Sequence, residues 1–125
     1  MGKALLAGVP SGNTFGSGSE LNPFGMNDIT ATELNTQMSL SSACTISRIA
    51  ARGLSGGNGT NNFQVRKAGA NGNGLATGTG AQLYVDGTNT DSFTAGQLFN
   101  VAYTDNGTNL GVQWVACNVE FASGH

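Results

Sequence analysis

From residue 36 onward, short β-prone runs alternate with stretches dense in glycine, asparagine and threonine, and this punctuation limits what the chain can fold into. The breaks are GLSGGNGTN at 53–61, GANGNG at 69–74, DGTNTD at 86–91, TAG at 94–96 and DNGTN at 105–109. Such segments reach positive φ at little cost and read as turns. Between them the sequence predicts strands near 36–41, 43–52, 61–68, 74–77, 80–86, 97–104 and 111–121. Many short strands with frequent turns are the habit of an all-β antiparallel sandwich or barrel. A helical bundle is excluded, because Gly 20, Asn 14, Thr 13 and Ser 10 crowd the chain while charged residues make up only 10%.

Alternation assigns faces to the expected strands. Val115, Cys117, Val119 and Phe121 share one side of the last run, with Trp114, Ala116, Asn118 and Glu120 on the other. Phe99, Val101 and Tyr103 oppose Leu98, Asn100 and Ala102; Phe63 and Val65 oppose Gln64 and Arg66; Leu83 and Val85 oppose Tyr84 and Asp86. The first-named set is the expected core in each case. With Leu 10, Val 7, Ile 3 and Phe 6 in 125 residues, that core is thin. The apolar side chains left outside, Leu98 and Trp114 among them, are expected at a subunit interface.

Residues 1–35 read differently. Gly2, Gly8, Gly12, Gly16, Gly18 and Gly25, with Pro10 and Pro23, disfavour both regular helix and central strand, so the stretch is expected as an extended N-terminal arm. Within 27–38, one helical turn capped by Asp28 or Thr30 competes with an edge strand. The arm's Leu5, Leu6, Val9, Phe15 and Phe24 gain burial only against another surface, and a domain spanning 36–125 is expected to fold and associate without them.

The net charge is −2, and Lys3, Arg48, Arg52, Arg66 and Lys67 form no stripe, so no direct nucleic-acid contact is expected. No segment has the length of a membrane span. The apolar stretch at 4–9, broken by Gly8, is too short for a signal-peptide core, and Leu6 stands where a myristoylation motif needs Ser or Thr. Cys44 and Cys117 lie far apart in apolar runs and read as buried thiols, with a disulfide as the alternative.

No catalytic, cofactor or metal set emerges. The single histidine, His125, is the last residue and is poorly placed to orient a nucleophile. Asp86 and Asp91 flank one loop, but Asp beside Gly most simply initiates a turn, and the loop lacks calcium's ligand number. GANGNG lacks the Lys-Ser/Thr of a phosphate loop. The Asn-Gly-Thr triplets at 58–60 and 106–108 match the glycosylation sequon and read as ordinary turns. Trp114 and Tyr84, on the expected polar side, are candidates to stack a sugar or to pack at an interface.

The stretch NNFQVRKAGANGNGLATGTGAQLYVDGTNTDSFTAGQLFNVAYT at 61–104, with ACTISRIAAR before it, resembles a family of small phage and bacterial jelly-roll virion domains related in shape to the TNF/C1q-like trimeric fold. Its members show "tVRKNG", then "DTTNTxSvaAGDLxslxV", after a strand like "GTISNLRV". Ala68 stands here where Asn is usual, and Gln97 where Asp is usual. The resemblance implies a two-sheet jelly roll, a homotrimer, and a structural, non-enzymatic bacteriophage protein. The expected role is capsid cement or decoration: assembled in the host cytoplasm, it sits on the capsid surface with the major capsid protein as partner. The alternative is a receptor- or carbohydrate-binding tip module of a tail fibre. Cement is favoured because 125 residues leave no room for a fibre shaft.

Overall fold

The computed structural model describes residues 37–122 in full and, ahead of them, the backbone of 3–8, 13–15, 19–21 and 29–30. The described residues form twelve strands and no helix: β1 (Lys3–Gly8), β2 (Asn13–Phe15), β3 (Ser19–Leu21), β4 (Ile29–Thr30), β5 (Met38–Ser39), β6 (Cys44–Gly56), β7 (Asn61–Lys67), β8 (Ala70–Gly78), β9 (Leu83–Val85), β10 (Thr90–Phe93), β11 (Leu98–Asp105) and β12 (Leu110–Phe121). They pair antiparallel in two sheets. The first runs β1-β12-β6-β10, with β2 also on β12 and β9 also on β6; the second runs β4-β3-β11-β7-β8, with β5 also on β11.

The core between the sheets is built by alternation. Ile46, Ile49, Val112, Val115, Cys117 and Val119 come from the first sheet, and Phe63, Val65, Phe99, Val101 and Tyr103 from the second. Phe63 packs edge-on to Tyr84 and tilted against Tyr103, with ring centres 5.5 and 5.2 Å apart. The faces expected for β7, β11 and β12 are those observed. On β9 the faces are reversed: Tyr84 and Asp86 are buried, while Leu83 and Val85 are 52% and 45% exposed. Hydrogen bonding explains the reversal. The Tyr84 hydroxyl donates to Gly80 O at 2.6 Å, and Asp86 accepts four bonds from Leu75, Thr88 and Asn89, so neither polar group is buried without partners.

The segments before residue 36 are extended, as an arm is, but those described are laid into the sandwich. β1 pairs with β12 over six positions, from Lys3↔Glu120 to Gly8↔Val115, and β3 pairs with β11 from Val101↔Leu21 to Tyr103↔Ser19. Strands from both sides of residue 35 therefore share both sheets, and the 36–125 unit has two of its longest strands paired to the segment ahead of it.

The GANGNG segment is mostly strand rather than turn. The hairpin between β7 and β8 is only Ala68-Gly69, both at positive φ (51° and 80°), between the paired Lys67 and Ala70. The glycines beyond it serve close approach. A Cβ on Gly72 would lie 2.5 Å from the Asp91 Oδ1, and one on Gly74 2.7 Å from Val65 Cγ2. Across this stretch β8 bulges away from β7, with Gln64 paired to Leu75 and then Arg66 to Asn71. Side chains take over the interrupted ladder: Gln64 Nε2 donates to the carbonyls of Gly72 and Gly74 at 3.0 and 2.8 Å. From the other sheet, the Asp91 carboxylate accepts the N–H of Asn73 at 2.6 Å and of Gly74 at 2.7 Å.

The two Asn-Gly-Thr triplets meet each other. Asn58 N–H donates to Thr108 Oγ1 and Thr60 N–H to Asn106 Oδ1, while the N–H groups of Asn106 and Thr108 donate back to the carbonyls of Thr60 and Asn58. A Cβ on Gly107 would fall 1.7 Å from Asn58 O, so only glycine closes this junction.

Candidate functional site

The register of the second sheet gathers polar side chains on its outer face. On β7, Asn62, Gln64 and Arg66 alternate with the buried Phe63 and Val65. Pairing sets them in three rows: Thr104 beside Asn62, Ala102 and Leu75 on either side of Gln64, and Asn71 next to Arg66. These rows line a groove of about 360 Å³, toward the lower end of the range for small-ligand sites, roughly 300–1,000 Å³.

Each long polar chain in the groove is tied down at one end. Gln64 is held through its Nε2. The Arg66 guanidinium donates to Asn71 Oδ1 and, at 2.6 Å, to Gly69 O. Asn62 Nδ2 reaches Thr104 Oγ1 at 3.5 Å, the long limit of a hydrogen bond. The bonds described engage Gln64 and Asn62 through their amide nitrogens and Asn71 through its oxygen, so the opposite end of each of these groove-lining carboxamides keeps acceptor or donor capacity. The sequence carried a signal for this stripe in the polar Asn62, Gln64 and Arg66 at every second residue. Their partners on β8 and β11 follow only from the register.

The outer face of the first sheet carries apolar side chains around the exposed Arg52. Trp114, Arg52 and Leu83 form one cross-strand row, and Ala116, Ala50 and Val85 the next. Leu54, at 48% exposed, stands out of the β6–β12 ladder where the register shifts between Gly111 and Val112. Trp114 is half-buried here. Leu98 is 37% exposed on the outer face of the other sheet, so the two expected interface residues do not share one surface. Tyr84 is fully buried and has no face for a sugar. Of the expected arm contacts, Leu5 and Leu6 lie in β1 and Phe15 in β2, with Asn118, Cys117 and Leu110 as backbone partners, while Val9 and Phe24 fall outside the described residues. His125 also falls outside them.

Asp86 and Asp91 act as fasteners. Burial pushes the Asp86 carboxyl up, but the N–H groups of Asn89, Leu75 and Thr88 and the Asn89 amide outweigh it and hold it well below the usual carboxylate range. Among the described residues no three His, Cys, Asp or Glu side chains cluster to hold a metal ion, and no helix is long and apolar enough to cross a membrane. Cys44 and Cys117 are free and buried. Cys44 pairs with Phe121, four positions along β12 from Cys117, so the two Cα atoms are about 13 Å apart at the strand rise, too far for a disulfide although both thiols point into the same core.

No protein-family model matches this chain, and no curated protein matches it.

Proposed function

We propose that this chain is a self-associating structural protein of a bacteriophage particle, a jelly roll that sits as a homotrimer on the capsid surface and holds neighbouring copies of the major capsid protein together. The observation that carries the self-association is the outer face of the first sheet, where Leu54, Leu83 and Val85 are about half exposed beside Trp114. Three large apolar side chains this exposed on one sheet face, grouped around Arg52, favour a protein contact. The strand pairing supports the jelly roll. Taking β1, β3, β6, β7, β8, β10, β11 and β12 as eight strands, first pairs with last, second with seventh, third with sixth and fourth with fifth. That is the pairing of one long hairpin rolled into two sheets. The virion setting rests on the motif resemblance at 61–104.

Light scattering after size exclusion tests the assembly. The expected result is a trimer for the native chain and a monomer for Leu83→Lys combined with Val85→Lys, two exposed positions at which lysine leaves the core intact. Rebinding to capsids stripped of this protein tests the location, with the native trimer expected to decorate them. A monomeric native chain overturns the assembly, and a trimer that ignores capsids overturns the cement role.

A further inference from the structure

We propose that the groove on the outer face of the second sheet is a saccharide-binding site. A ligand there meets carboxamides whose far ends are already fixed: Gln64 by the β8 bulge carbonyls and Asn71 by Arg66. The ends left over are mixed. Gln64 and Asn62 offer acceptor oxygens, Asn71 offers donor hydrogens, and the Thr104 hydroxyl does both. Alternating donors and acceptors suit vicinal hydroxyl groups, each of which both gives and takes a hydrogen bond. Because the amides are held before the ligand arrives, little side-chain entropy is lost on binding.

The rest of the lining narrows the ligand class. Leu75 and Ala102 supply a small aliphatic floor for the C–H face of a sugar ring. No aromatic side chain lines the groove, which disfavours a nucleobase or an aromatic peptide side chain. Among the described residues the one guanidinium of the lining is engaged by Asn71 and Gly69. A neutral, hydroxyl-rich ring fits these terms best, and a ring bearing a carboxylate shares the same hydroxyl chemistry. The site lies on the sheet opposite the one that carries Leu54, Leu83 and Val85.

The test uses the full-length protein on an array of neutral and uronate- or sialate-bearing oligosaccharides, followed by NMR titration with the best-bound saccharide. Binding is expected to shift the side-chain amide signals of Asn62, Gln64 and Asn71. Thr104→Trp, at an exposed strand position, fills the groove and is expected to weaken binding at least tenfold; Asn71→Leu is expected to weaken it about fivefold. Neutral and acidic arms of the array identify which kind of ring the groove accepts. Absence of binding by the native protein at millimolar saccharide overturns the proposal, as does undiminished binding by Thr104→Trp or shifts confined to other surfaces. Light scattering on the same variant separates the two readings: a Thr104→Trp protein that loses its assembly makes the groove a subunit contact and overturns the saccharide site.

Discussion

The Tyr103 hydroxyl donates to the Oδ1 of Asn61 at 2.5 Å, which joins a core tyrosine of the second sheet to a fully buried amide at the start of β7. The same amide's Nδ2 donates to Gly57 O at 2.6 Å and to the Tyr84 hydroxyl of the first sheet at 3.2 Å. One side chain thus satisfies groups from both sheets and from the 57–60 turn. Asn61→Ala takes a partner from each of them, and the expected loss is about 3 kcal/mol, against about 1 kcal/mol for Tyr103→Phe. Urea denaturation of both variants and their double mutant checks this; additive losses would show that the network is not coupled.

Ala68 occupies the left-handed region at φ 51°, where the resembled family places asparagine. With Gly69 it forms the two-residue hairpin for which Asn-Gly is the favoured pair. Ala68→Asn is therefore expected to raise stability by about 0.5–1 kcal/mol, while Ala68→Val lowers it, and the paired thermal melts decide. The other departure, Gln97, keeps its turn closed, since its Oε1 accepts the Thr94 N–H at 2.8 Å.

Acid should loosen the fold through Asp86. Its carboxyl titrates below the unfolded value in the native state, so its contribution is complete above the unfolded pKa of about 3.9 and fades as pH falls below it. Asp86→Asn is expected to cost on the order of 2 kcal/mol at pH 7. Denaturation at pH 7, 5 and 3 should show the gap between native and variant chains closing only at the lowest pH. A gap that stays constant across the series refutes the assignment.

Burial pushes the Cys117 thiol up to about 12, with the nearby Cys44 adding to the effect, and burial raises Cys44 as well. Neither sulfur is an effective nucleophile in the folded protein. Iodoacetamide at pH 8 is expected to leave both unmodified in buffer and to alkylate both in denaturant. Rapid labelling of the native protein contradicts the buried placement.

Removal of residues 1–21 takes away β1, β2 and β3, so that β12 keeps only β6 and β11 keeps only β7 and β5 as partners. The truncated chain is expected to melt well below the full-length protein. An unchanged melting temperature means that these strands add nothing to the body of the sandwich.

Strands with clean alternation were legible in advance. β7, β11 and β12 bury Phe63 and Val65, then Phe99, Val101 and Tyr103, then Val115, Cys117 and Val119, because the large apolar residues fall at every second position there. β9 inverted because Tyr84 and Asp86 find partners at Gly80, Leu75 and Asn89, which no local pattern reveals. β10 went unseen because Asp91, a residue read as loop, is buried against the β8 bulge, and the same contact disguised the strand through Gly72 and Gly74 as a turn. For the groove, only the β7 stripe could be read; its width and its far walls arise from strand register.

The junction where Asp86 and Asp91 meet β8 also bears on aggregation. β8 is the last strand of its sheet, and a terminal strand with unclaimed N–H groups is a template on which another chain can add. Here consecutive N–H groups, those of Asn73, Gly74 and Leu75, are already claimed by two carboxylates of the opposite sheet. An incoming strand would have to displace charged acceptors in order to dock. The pair guards the protein against fibril growth along that border, with two side chains in place of a covering helix or a strand-breaking proline.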